Sequence, residues 1–312
     1  MAHPSDSSAG SARASAGNRL DPWYSSYADR SLGMRASEVR SLFAVANRPE
    51  VVSLAGGMPN IEGLPLDFLA EMTARLLRDR GPKLLQYGGG QGEEEIRTHA
   101  HPDDVIVTTG SQQALDLMTQ IFINPGDAIV AEAPSYVGAL GVFRAYQAEV
   151  IHTPMDDHGL IPSALEETLR RAEALGKQVK FLYTVPNFHN PAGVTLSLER
   201  RPQVVEICRR HGVIILEDNP YGLLGFDSEP LPALQTFDPD AVVYLGSFSK
   251  IFAPGYRVGW ALAPHAVTQR MVLAAESAIL SPNMMGQLSI AEYLKSYDWF
   301  QQVKEYRSMY RE

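Results

Sequence analysis

Arg257 follows Lys250 by seven residues in Gly246-Ser-Phe-Ser-Lys250-Ile-Phe-Ala-Pro-Gly-Tyr-Arg257, and Ser247 and Ser249 stand just ahead of the lysine. An apolar run, Ala241 to Leu245, leads into this stretch. A lysine at the end of such a strand can form a Schiff base with an aldehyde cofactor. Carbonyl chemistry needs an amine that is at least partly unprotonated, and desolvation beside another cation shifts a lysine in that direction. The two serines and the arginine are suited to holding a phosphate near the amine. On its own, Ser-x-Ser-Lys is an ordinary solvated lysine after a strand, so the weight falls on what accompanies it.

Gly110-Ser111-Gln112 opens a helical stretch, where free backbone N–H groups and the helix dipole favour an anion and Ser111 adds a hydroxyl. Asp218 closes an apolar run and could hold a proton on a heteroaromatic nitrogen, making the ring a better electron sink. Tyr221 and Asn190 could bond a phenolic oxygen on that ring, and Tyr136 could stack on its face. The planar fork of Arg257 suits a phosphate. Each also has a plain structural reading. Ser111 is a good helix cap, Asp218 precedes an Asn-Pro turn, Asn190-Pro-Ala-Gly193 is turn sequence, Tyr136 could be core, and Arg257 could make a surface ion pair.

The elements that would position these groups alternate. Strands are predicted at Val105–Thr109, Ala128–Ala131, Glu149–Thr153, Phe181–Val185, Val213–Leu216, Val242–Leu245 and Val258–Leu262. Helices are predicted at Gln112–Phe122, Tyr136–Tyr146, Pro162–Ala174 and Leu198–Arg210, with a helical tail from about His265. Such alternation implies an α/β fold with a mostly parallel sheet and helices on both faces. The four clusters at Gly110, Asn187–Asn190, Asp218 and Ser247–Lys250 then all fall at carboxyl ends of strands, where open α/β sheets bind ligands.

Composition narrows the class. The 312 residues are 45% hydrophobic and 20% charged, ample for a buried core, and a net charge of −9 argues against a general nucleic-acid binder. The single cysteine, Cys208, cannot form an internal disulfide, and the eight scattered histidines make no metal motif. No run has the apolar length of a membrane helix, and Met1–Asn18 is a polar, Ser/Ala/Gly-rich stretch without a secretory h-region. A cytoplasmic protein is expected, with a disordered or extended arm over 1–33.

Taken together, Asn190-Pro-Ala-Gly193, Glu217-Asp-Asn-Pro-Tyr221, Gly246-Ser-Phe-Ser-Lys250 and Arg257-Val-Gly-Trp260 resemble, in order and spacing, the class I/II aminotransferases, pyridoxal-phosphate enzymes of fold type I. Gly110-Ser-Gln-Gln-Ala114, Glu132-Ala-Pro-Ser-Tyr136 and Leu85-Gln-Tyr-Gly88 fit the same pattern. Leu54-Ala-Gly-Gly-Met-Pro59 and Val185-Pro-Asn-Phe-His-Asn-Pro191 resemble the 2-aminoadipate and multi-substrate branch. The resemblance implies that Lys250 is the Schiff-base lysine and proton shuttle, with Asp218 at the pyridine nitrogen and Tyr221 and Asn190 at the phenolic oxygen. It implies Tyr136 against the ring, and Ser111, Gln112, Ser247, Ser249 and Arg257 around the phosphate. Tyr87 would reach the phosphate of a partner subunit in a homodimer. Gly57, Asn190 and Arg40 would meet an amino-acid or 2-oxo-acid substrate, with ping-pong kinetics. A cofactor-binding large domain would cover 34–285, and 286–312 would begin a small C-terminal domain.

Two departures from the family pattern stand out. The chain stops at Glu312 within a helix that the family extends into a further domain, so the chain looks truncated. The stretch 91–102 is too short for the helix the family places there, which is expected to expose part of the core and disturb packing around Tyr87. These leave open a lyase-type reaction on the same cofactor, or a catalytically impaired truncated homologue.

Overall fold

Strands with little side-chain exposure on either face form the centre of the molecule. A computed structural model describes residues 26–32, 50–51, 57–97 and 102–312. Arg40, the stretch Met1–Asn18 and the first half of the Leu54–Pro59 motif lie outside the described residues. Eight strands form one sheet: β1 (Val105–Thr108), β2 (Ala128–Ala133), β3 (Glu149–Asp156), β4 (Gly159–Leu160), β5 (Val179–Thr184), β6 (Ile214–Asp218), β7 (Val242–Ser247) and β8 (Gly259–Leu262). Their order is β1-β8-β7-β6-β5-β2-β3-β4. β3, β2, β5, β6 and β7 run parallel, β8 runs antiparallel between β7 and β1, and β4 folds back on β3. The sheet is thus mostly parallel, as expected, with β8 reversed inside it and β4 reversed at its edge, neither of which the sequence pattern reveals.

Period-two alternation sends neighbouring residues to opposite faces. Ile129, Ala131, Phe181, Tyr183, Leu216, Val243 and Leu245 pack against α4 (Ser111–Phe122), α5 (Val137–Ala145) and α8 (His265–Ile279). Val130, Leu182, Ile215 and Val242 face α6 (Pro162–Ala174) and α7 (Arg200–Arg210). A third cluster joins Val107, Phe248 and Val258 to α2 (Leu66–Leu84) and α9 (Met284–Ser296). The remaining described helices are α1 (Asp29–Leu32), within the expected arm, α3 (Glu94–Arg97) and α10 (Trp299–Arg311).

Several expectations need correction. β6 extends through Asp218 and β7 through Ser247, so both side chains are fixed by strand register, not carried on loops. β1 stops at Thr108, one residue early, because Gly110 turns there with φ +85°. Tyr136 precedes its helix, and α7 starts at Arg200, not Leu198. The helical tail is three helices; Leu280 breaks the first at φ +64°, and Asn283 and Asp298 cap the next two through their side chains. α2 was not foreseen; it kinks at Arg80, just ahead of Pro82.

Beside the described part of the short stretch, residues 91–97, the neighbouring strand keeps its core side chains covered. Val105 and Val107 stay buried. Gln91 Nε2 donates to the carbonyls of Pro102, Asp103 and Val105, and Glu93 N–H donates to Gln287 Oε1 at 2.8 Å. Lys83 and Arg80 on α2 pair with Glu93 and Glu95. What remains beside it is an apolar cavity of about 170 Å³ between α3, β1, β8 and α9.

Candidate active site

Parallel strands bring β1, β5, β6 and β7 to one edge by their carboxyl ends, and the reversed β8 enters the sheet at that same edge. Residues from five segments distant in sequence therefore converge. A cavity of about 210 Å³ there is lined by Ser111, Gln112, Tyr136, Asn190, Asp218, Tyr221, Ser247, Ser249, Lys250 and Arg257. Every one of these was singled out from the sequence. Tyr87 does not line the cavity; it is 76% exposed, just past the end of α2.

Asp218 lies on the cavity floor. Its alternation with Leu216 turns it toward the α4/α5 side, and it is 3% exposed. Tyr183 on β5 donates its hydroxyl to Asp218 Oδ2 at 2.9 Å, while Oδ1 is buried with no partner. Burial raises the Asp218 carboxyl to about 6, and the Tyr183 bond pulls the other way. At pH 7, above that value, the carboxylate form still predominates. A buried charge with an unused acceptor is costly unless a donor meets it.

Lys250 reaches in from the turn after β7. Its Nζ donates to the Gly57 carbonyl at 2.6 Å and stands 5.8 Å from the centroid of the Tyr221 ring. Burial lowers its pKa, which raises the neutral fraction. Tyr221 is itself raised by burial, with the Asn190 amide bonding it in partial compensation. So Asn190 and Tyr221 form one polar pair on the cavity wall.

Ser111, Ser247 and Arg257 meet at the other end. Arg257 has φ +51° at the turn into β8; its Nη2 donates to the Thr109 carbonyl at 3.0 Å and its Nη1 to Pro254 O at 3.2 Å. Two glycines make this approach possible. A Cβ on Gly110 would sit 2.5 Å from Arg257 Nη2, and one on Gly259 would sit 2.8 Å from the backbone of Gly110 and Ser111. Ser247 Oγ accepts from Ser249 N–H at 3.1 Å and donates to Ser249 Oγ at 2.8 Å. The result is a small hydroxyl-rich cradle with one guanidinium at a helix start. Above it, Tyr136 lies over Gly138, where a Cβ would meet the ring at 2.4 Å, and Gln112 Nε2 bonds Gly138 O.

The supporting residues were missed from the sequence. Arg201 is fully buried and donates to Leu196 O, Pro232 O, Pro186 O and Asn187 Oδ1. Asn187 passes the connection to Asn219 at 2.9 Å, next to Asp218. Glu217 accepts the Leu234 and Gln235 N–H groups, and burial raises it to about 7. Glu132 accepts from Thr184 Oγ1 and Val185 N, with His189 Nε2 3.1 Å away. A signal for Arg201 existed: it continues the stripe of Val204, Val205 and Cys208 at helical spacing.

Comparison with known proteins places these residues in context. The family model for aminotransferase class I and II matches residues 60–312. An aromatic-amino-acid aminotransferase of Thermococcus litoralis is 40% identical over 282 residues, 86% of this chain and 68% of that protein. The solved multiple substrate aminotransferase of Thermococcus profundus superposes with a TM-score of 0.87 at 36% identity, covering 93% of this chain and 75% of the other. The α-aminoadipate aminotransferase of Thermus thermophilus, solved with N-(5'-phosphopyridoxyl)-L-leucine, gives 0.86 at 34% identity over 93% and 74% of the two chains.

Proposed function

The chain belongs to the class I and II aminotransferases, enzymes that move amino groups between amino and 2-oxo acids with pyridoxal phosphate, and from that premise we propose that Lys250, Asp218 and Tyr221 carry the transfer. The observation that carries this reading is one cavity uniting a desolvated amine with a buried carboxylate whose Oδ1 has no partner. Those residues fit the cofactor: Oδ1 suits a ring N–H, and the glycine-backed cradle at Ser111 suits a phosphate. Bound there, pyridoxal phosphate supplies an aldehyde that takes the amino group and a ring that accepts the electron pair left at the substrate Cα.

The protein's own part is to hold and move protons. Lys250, oriented by Gly57 O and with its pKa lowered by burial, is the amine that would hold the cofactor aldehyde and, once freed by substrate, would take the proton from Cα. Asp218, ionised at neutral pH, holds a proton on the ring nitrogen. Tyr221 and Asn190 bond the phenolic oxygen, and Tyr136 covers the ring face. Ser111, Gln112, Ser247, Ser249 and Arg257 hold the phosphate. Gly57 and Asn190 border the substrate carboxylate; Arg40, the remaining substrate candidate, lies outside the described residues. Aromatic and aminoadipate-like substrates are the first to try, after the names of the relatives.

A homodimer is part of this reading. Gly88 N–H donates to Ser281 Oγ at 3.3 Å, which brings exposed Leu85 and Tyr87 beside exposed Leu280. A second copy would cover that apolar surface and receive Tyr87 at its phosphate. Sedimentation showing only monomer with cofactor bound would remove this part. A large domain over 34–285 and a second domain beginning at 286 are also retained, and proteolysis that spares that junction would count against them. Among the described residues no helix is long and apolar enough to cross a membrane. A cytoplasmic setting is supported by the lone, buried Cys208, and cell fractionation checks it.

The direct test is the visible spectrum of the chain with pyridoxal phosphate, for the unmodified protein and Lys250→Ala. We expect a yellow band that needs Lys250 and bleaches with an aromatic amino acid or 2-aminoadipate, with one 2-oxo acid formed per cofactor aminated. Loss of the lysine should slow amino transfer by on the order of 10²–10⁴ through its proton-transfer role alone. A band indifferent to Lys250 would sink the assignment.

A further inference from the structure

We propose that Tyr183 is a positioning residue for the reaction: its hydroxyl occupies Oδ2 of Asp218, holds the carboxylate ionised and leaves Oδ1 as the one oxygen open to the cofactor ring. The inference rests on the role of Asp218 proposed above and adds a residue that none of the motifs contains.

The geometry singles Tyr183 out. It is fully buried on β5, and its ring is held edge-on by Phe143 at 5.4 Å and 73°, with Phe143 in turn against Phe181 at 5.6 Å. The phenol therefore has little freedom to leave Asp218. Other titratable groups surround the carboxylate but do not bond it. Tyr136 comes from the segment before α5, Tyr221 and Lys250 from the turns after β6 and β7, Glu132 from β2, and Glu217 and Tyr244 lie toward the opposite face of the sheet. Lys250 Nζ is committed to Gly57 O instead. A carboxylate buried this deeply drifts toward its neutral form unless a donor stabilises the charge, and burial has already raised Asp218. A protonated Asp218 could no longer hold a second proton on the ring nitrogen. A rotating one would offer either oxygen. The Tyr183 bond opposes both.

Tyr183→Phe removes the donor and keeps the ring. Two readouts separate positioning from general structure. In the cofactor-free protein labelled with carbon-13 at aspartate Cγ, with Asp218→Asn assigning the signal, the Asp218 midpoint should move up by about one pH unit, since a bond to a charged group is worth that much. In protein loaded with ring-nitrogen-15 pyridoxal phosphate, the ring signal should move toward the deprotonated position at neutral pH. An unchanged midpoint, or a moved midpoint with an unaltered ring nitrogen, overturns the proposal. Should Tyr183→Phe fail to fold, the unmodified protein decides: the Tyr183 hydroxyl proton should give a slowly exchanging, downfield resonance that is lost in Asp218→Asn, and its absence overturns the proposal. Failure of the unmodified protein to bind pyridoxal phosphate would instead overturn the reading of the preceding subsection, because the Asp218 titration and the hydroxyl resonance are read without cofactor.

Discussion

The carboxyl edge of the sheet and the flank around α3 are built on opposite terms. At the edge, several buried charged groups are tied by directional bonds: Arg201 to four residues, Glu217 to two backbone amides, Glu132 to Thr184 and Val185. On the flank, Val105, Val107, Phe248, Trp260, Leu262 and Leu294, with Ile96 and Arg97, line a largely apolar pocket of about 170 Å³. Hydrogen bonds are directional and costly to leave unmade, whereas apolar contact is not directional. Position is therefore held tightly where chemistry needs it, and loose packing collects where nothing has to be aimed.

Three experiments would sharpen or break that contrast. Arg201→Ala carries the largest expected effect: stranding Asn187 Oδ1 and the Pro232 and Leu196 carbonyls should cost about 3–5 kcal/mol, read as a lowered denaturant midpoint. Arg201→Lys should recover only part, because an ammonium cannot fork. A loss below about 1 kcal/mol would mean the edge is no tighter than the flank.

Next comes pH. Asp218 and Glu217 are raised to about 6 and about 7 in the folded chain, above the ordinary 3.8 and 4.5. Their contribution is fully present below the unfolded values and is lost as pH rises through 6 and 7, by up to about 3 kcal/mol each. The cofactor-free protein should therefore melt lower at pH 8 than at pH 5, and Asp218→Asn with Glu217→Gln should flatten the slope. Asp156, held near 2 by Arg200 and the His158 amide, works in the opposite sense but only as pH falls below about 4. A slope that survives both substitutions belongs to other groups.

Smallest is Leu294→Phe on the flank. Filling part of the void should raise stability by about 1 kcal/mol, equally at pH 5 and pH 8. Destabilisation by more than that would show the void to be narrower than its shape implies.

Much of this was legible beforehand, for reasons that particular residues show. Pro162–Ala174 was delimited correctly because a proline at the first position and a clear apolar period mark it. The cavity-lining residues were legible because strand ends and turn chemistry bring them to one edge. Arg200 and Arg201 show the limit. They are adjacent and identical, yet one pairs with Asp156 at the surface and the other is wholly buried. Type says nothing about which; only helical phase does. Glu132 and Glu217 are similar, being charges inside apolar strands whose partners come from segments 17 to 53 residues away. The direction of β8 is set by tertiary pairing, which no local pattern encodes.

That reversed strand also has a consequence for how the chain is made. β1 pairs with β8 alone, Val105 opposite Leu262, and β8 stands between it and the rest of the sheet. As synthesis proceeds, β2 through β7 can assemble while β1 waits as an unpaired edge for more than 150 residues. β8 pairs on both sides, joining β1 to the sheet, and the turn into it holds Arg257 against the Thr109 carbonyl. Completion of the sheet on this side and assembly of the Ser111–Arg257 cradle therefore depend on the same strand.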